Sequence, residues 1–141
     1  MTTRLRARDL LWFTRDVLEE MRNHLERENW NGAVRRGQEV LESSLKAVIL
    51  QLGADYPKTH DPAPAVQRIL DERGAPFDRA RLDSLKGASK ELADLRAPAG
   101  YVEVLCTEEQ ARRAAAAAED AFRLAVEHCG EPPEGAFRPG R

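Results

Sequence analysis

The sequence predicts an all-α fold: an up-and-down bundle of four main helices with a shorter fifth. Three observations carry this. Apolar residues recur at helical spacing along five segments, Gly, Pro and Asn break the gaps between them, and no segment reads as a strand. With 141 residues, 42% of them hydrophobic and 33% charged, the chain suits one domain around one core.

The first helix is expected from about Arg6 to Arg27, where Leu10, Leu11, Val17, Leu18, Met21 and Leu25 share a face and Arg and Glu stand opposite. Asn29-Trp30-Asn31-Gly32 breaks it, and either Asn can cap the next helix. The second helix runs to about Leu52 on Val34, Leu41, Leu45 and Val48, with Gly53 as its stop. Asp61 is expected to cap the third, with Pro62 at the first helical position, where its missing N–H costs nothing. Val66, Ile69 and Leu70 give that helix its apolar face, and Gly74 ends it.

The fourth starts near Asp78 on Leu82, Leu85, Leu92 and Leu95, and Pro98 and Gly100 are expected to break it. The fifth begins with a capping box, Thr107 to Gln110, and follows an alanine-rich seam through Ala111, Ala115, Ala118, Phe122, Ala125 and Cys129. Residues 1–130 thus form the bundle. The tail 131–141, EPPEGAFRPGR, has no periodicity and is expected to be disordered.

A formal net charge of -2 implies no general affinity for polyanions, so any nucleic-acid contact must come from a local basic patch. Cys106 and Cys129 read as free thiols of a reducing cytoplasm. Neither a signal-peptide core nor a membrane span is expected. Three scattered histidines and two cysteines make a poor zinc set, so no metal or cofactor is expected. Trp12, Phe13 and Trp30 are core or interface anchors. If exposed, they would form an unusual patch for a monomer, which predicts a two-fold dimer.

One polar set stands out on the second helix. Gln38, Glu42 and Lys46 at i, i+4 and i+8 line one face. By spacing alone they form a solvated stripe with a single Glu–Lys pair, worth a few tenths of a kcal/mol. The order Gln38-x-x-x-Glu42-x-x-x-Lys46-Ala47, then Gly53, then Thr59-His60-Asp61, resembles the HEPN family of small helical bundles. The stretch from Trp30 to Asp61 carries the resemblance. It implies that Gln38, Glu42 and Lys46 line a groove for a partner, a nucleotide or RNA. It gives His60 a local role, bonding backbone groups where the third helix begins.

Ribonuclease members of that family place a His shortly after an Arg near the last helices. A His can move the 2′-hydroxyl proton and an Arg can stabilise the phosphorane-like charge. Arg96-Ala97-Pro98-Ala99-Gly100-Tyr101-Val102-Glu103 keeps the Arg and has no His. Tyr101 stands in its place, and an ordinary phenol is a poor base at neutral pH. The segment is closer to an Arg-Tyr-Pro variant of non-ribonuclease relatives, with Ala97 for the Tyr. Arg96 therefore remains an anion contact, Tyr101 and His60 are weaker candidates, and no catalytic residue is assigned.

The resulting expectation is a cytoplasmic, non-catalytic, dimeric interaction module with no membrane contact. Its partners would be a minimal nucleotidyltransferase, a nucleotide or RNA. The alternatives are a metal-independent endoribonuclease of toxin–antitoxin type and a purely structural dimer.

Overall fold

A computed structural model describes residues 2–138. Five helices follow in order: α1 (Thr3–Glu26), α2 (Trp30–Gln51), α3 (Ala63–Arg73), α4 (Arg79–Gly100) and α5 (Glu108–Cys129). No strand occurs among the described residues. The fold is the expected all-α bundle, with α3 as its short member.

α2 is the central rod. It packs against α1, α5 and α4, and α3 caps it on the α4 side. α1 and α4 make no direct backbone approach to each other, though Leu25 of α1 and Leu95 of α4 pack on the same core cluster. Burial along α2 explains its place: Val34, Val40, Leu41, Leu45, Ala47, Val48 and Ile49 are all buried, on more than one face. Each large side chain removed from water contributes about 1.5–3 kcal/mol before entropy is counted. The alanine seam of α5 is buried, and its closeness to α2 depends on small residues from both helices. A Cβ placed on Gly37 would stand 3.4 Å from the Ala114 carbonyl oxygen, so little more than a methyl group fits there.

The helix ends show where local sequence sufficed and where it did not. Thr2 caps α1, so that helix starts a turn earlier than its apolar pattern suggests. Asn29 caps α2 through the Gly32 N–H at 3.0 Å. Thr107 and Gln110 form the expected reciprocal box on α5. The expected Asp61 cap of α3 is not made. Pro62 occupies that position with no side-chain bond, and Asp61 Oδ1 instead accepts from Ser89 Oγ on α4 at 2.6 Å. A cross-helix partner thus displaced the local one.

Pro98 does not break α4, which runs through it to Gly100. A proline one turn from a helix end removes only one backbone bond. α4 then closes with Glu103 N–H on the Pro98 carbonyl and Val102 N–H on the Ala99 carbonyl, and Val102 adopts φ 56°. Glycine usually occupies that left-handed position. A β-branched residue there costs about 1–2 kcal/mol.

Residues 131–138 lie along α1. Trp12 Nε1 donates to the Gly135 carbonyl at 2.9 Å, Arg15 donates to the Pro133 and Gly135 carbonyls, and Phe137 N–H meets Asp16 at 3.0 Å. Phe137 stands edge-on to Trp12 and Phe13, with centroids 5.5 and 5.8 Å away. Periodicity cannot reveal a segment held by backbone carbonyls and one aromatic ring. Residues 139–141 fall outside the described residues.

Candidate functional site

Three of the expected groove residues come together, with a fourth from the loop before α3. Glu42 is the hub. Its Oε1 accepts from Gln38 Nε2 at 2.8 Å and lies 2.8 Å from His60 Nδ1, while its Oε2 accepts from Lys46 Nζ at 2.9 Å. Gln38 Nε2 also leans on the His60 carbonyl at 3.4 Å. Helical spacing puts Gln38 and Lys46 one turn to either side of Glu42, and the chain reversal after Gly53 returns His60 to the same point.

This is not a solvated stripe. Gln38 is 1% exposed, and the Glu42 and Lys46 side chains are 16% and 13% exposed. Only His60 is well exposed. Burial alone would raise the Glu42 pKa, but bonds from Lys46, Gln38 and His60 outweigh it and hold the carboxyl below its ordinary value. The cluster is therefore a carboxylate stabilised by its own cation. Gln38 Oε1 is buried and has no partner among the described residues, because the amide nitrogen is already turned to Glu42. Among the described residues the His60 side chain bonds Glu42 and makes no bond to the backbone where α3 begins.

Two neighbours escape a reading by motif. Tyr56 lies under Lys46, whose Nζ is 4.9 Å from the ring centroid, and under Arg6 at 6.0 Å. Asp61 and Ser89 tie the His60 loop to α4. Their signals, one Tyr in a loop and one Ser on a helix, are too common to be singled out from sequence.

Arg96 and Tyr101 are not part of this cluster. α2 and α4 run antiparallel: Asn31 Nδ2 reaches the Ala99 carbonyl at one end, while Leu41 and Leu45 share a core cluster with Leu82 and Leu85 at the other. Arg96 belongs to the first end and Lys46 to the second. Arg96 stands seven residues beyond Ser89, about 10 Å along the axis. Among the described residues its guanidinium makes no ion pair or side-chain hydrogen bond, and the Arg35 guanidinium lies beside Gly100, one turn further along α4. Tyr101, which caps α4, is 77% exposed.

No histidine makes a hydrogen bond to that end of α4 among the described residues. His60 is held by Glu42 at the other end, and His24, beside Gly32 at the start of α2, contacts Arg27 and Asn29. His128 stacks on Phe77, 5.6 Å between centroids, near the C-terminus of α5. Burial lowers the His128 pKa. Burial also pushes the Cys129 thiol up to about 11, a poor nucleophile at neutral pH. Among the described residues no cluster of three or more His, Cys, Asp or Glu is placed to hold a metal, and no helix is long and apolar enough to cross a membrane.

The exposed apolar surface differs from the expected one. Trp12 is only 5% exposed because the tail covers it, and Trp30 packs inward with the Arg112 guanidinium 5.8 Å from its ring. Phe13 remains half open. The larger apolar exposure is the α4–α5 loop: Tyr101, Val102, Val104 and Leu105 face solvent. Asn31 holds this loop at three points, donating to the Ala99 and Val104 carbonyls and accepting from Cys106 N–H. Beside it, α4 and α5 diverge around an open groove of about 340 Å³.

Residues 7–129 match the family model described as HEPN domain. Comparisons with curated proteins and with solved structures gave no significant match. The family match spans all five helices, from the first turns of α1 to the end of α5. The chain therefore belongs to the HEPN domain family.

Proposed function

We propose that this protein is a non-catalytic, dimeric HEPN module that binds an anionic ligand, a nucleotide or RNA, alone or together with a minimal nucleotidyltransferase partner. One observation carries the reading. The Arg96 guanidinium has no partner among the described residues, while each of the three histidines is engaged elsewhere. A free arginine, one helical turn from the Gly100 backbone against which the Arg35 guanidinium lies, suits anion binding. Without a base nearby, proton transfer from a 2′-hydroxyl has no agent. The Glu42 cluster is the lesser anion contact, because Lys46 is already neutralised within it. Its exposed element is the His60 edge, which suits a polar partner contact.

The test pairs cleavage with binding. Single-stranded RNA incubated with the protein and chelator at neutral pH should stay intact. Binding of RNA or a nucleotide should weaken with salt and fall about tenfold or more with Arg96→Ala, and less with Lys46→Ala. Chelator-resistant cleavage abolished by Arg96→Ala would establish an endoribonuclease instead. Binding unchanged in both variants would leave a structural dimer.

A further inference from the structure

The tail after α5 lies on α1 as a peptide lies on a receptor. We infer that this face of α1 is a recognition site for an extended segment of a partner protein, one with a basic residue three positions before an aromatic one. The chain's own tail keeps the site closed until such a segment displaces it.

The contact reads backbone more than side chains. α1 supplies Trp12 Nε1, the Arg15 guanidinium and the Asp16 carboxylate, and the tail supplies the Pro133 and Gly135 carbonyls and the Phe137 N–H. Bonds of this kind are open to any extended sequence, and a pocket for one side chain then selects among them. Here that side chain is the Phe137 ring, edge-on to Trp12 and Phe13.

The tail is an imperfect occupant in two respects. Glu134 is exposed and shares a dip with Asp16 and Glu19 of α1, so three carboxylates stand there with one cation, Arg15. Arg15 turns to tail carbonyls, and neither Glu19 nor Glu134 has an ion pair among the described residues. These like charges oppose closure, whereas a lysine or arginine in the place of Glu134 would meet Asp16 and Glu19 with the opposite sign. Phe137, for its part, borders a hollow of about 370 Å³ without filling it, and Leu10, Phe13, Leu50 and Tyr56 supply the apolar wall. A larger ring has room to enter.

A tethered segment needs little intrinsic affinity, because its tether holds it at an effective concentration on the order of millimolar. A weak occupant therefore suffices to close the site, and a segment of better charge and larger ring displaces it. The tail also follows residue 129, where the family match ends, so the closure is not built from the matched domain alone.

Fluorescence anisotropy with labelled peptides of residues 131–138 tests the inference on the full chain. One peptide keeps the tail sequence, and the other has lysine in the place of Glu134. The lysine peptide should bind the Phe137→Ala chain, whose own tail is loosened, about tenfold tighter than it binds the wild type. It should also bind that chain about tenfold tighter than the unaltered peptide does, and Asp16→Asn with Glu19→Gln should remove this preference. A second readout needs no peptide: Glu134→Lys in the full chain should hold the tail more closely and reduce acrylamide quenching of tryptophan emission. Equal affinity for the two peptides, no binding at about millimolar peptide, or quenching unchanged by Glu134→Lys would each overturn the inference. Emission of the wild type that shifts to the red on dilution would mean that the tail arrives from a second copy, which would overturn it as well.

Discussion

His60 Nδ1 lies 2.8 Å from Glu42 Oε1, and this contact ties the loop ahead of α3 to the middle of α2. It makes Glu42 the meeting point of Gln38, Lys46 and His60, so the acidic residue of the stripe is a structural hub.

The first prediction concerns that hub. Glu42→Ala would leave the Lys46 ammonium, 13% exposed, without its carboxylate. The expected cost is about 1–3 kcal/mol, where an exposed stripe would give less than about 1. Urea denaturation at pH 7 measures it.

The same residue gives a pH signature. Its folded pKa lies below the ordinary 4.5, so the stabilisation is complete above 4.5 and is lost as pH falls through 4.5 toward the folded value. Stability of the wild type should therefore drop over that window by more than that of Glu42→Gln, which lacks the titrating group. Parallel pH curves for the two proteins would contradict the assignment.

Val102 provides a test of stored strain. Val102→Gly places glycine at φ 56° and should stabilise the fold by about 1 kcal/mol. A lowered melting temperature would mean that the valine side chain contributes packing its exposure does not suggest.

Leu45 is fully buried at the centre of α2. Leu45→Ala should cost about 2–5 kcal/mol, depending on how far the bundle relaxes into the space. A cost below 1 in a denaturant series would mean that α2 is not the central rod.

The tail can be checked by fluorescence. Phe137→Ala removes the ring that leans on Trp12 and Phe13, and should cost about 1 kcal/mol and shift tryptophan emission to the red. Unchanged emission would place the tail elsewhere.

The helices, their order and most of their ends were legible in the sequence, because they depend on interactions within a few residues: apolar spacing on α2, the Thr107–Gln110 box, the glycines after α2 and α3. The stripe of Gln38, Glu42 and Lys46 was legible for the same reason. What tertiary structure decided are contacts between residues far apart in the chain. Asp61 left its expected cap for Ser89, and His60 turned to Glu42. Arg96 went to the opposite end of the α2–α4 pair from Lys46, and Phe137 closed over Trp12. Local periodicity says which face of a helix is apolar. Only packing says which face meets a neighbour, and therefore whether a polar stripe ends in water or under a loop.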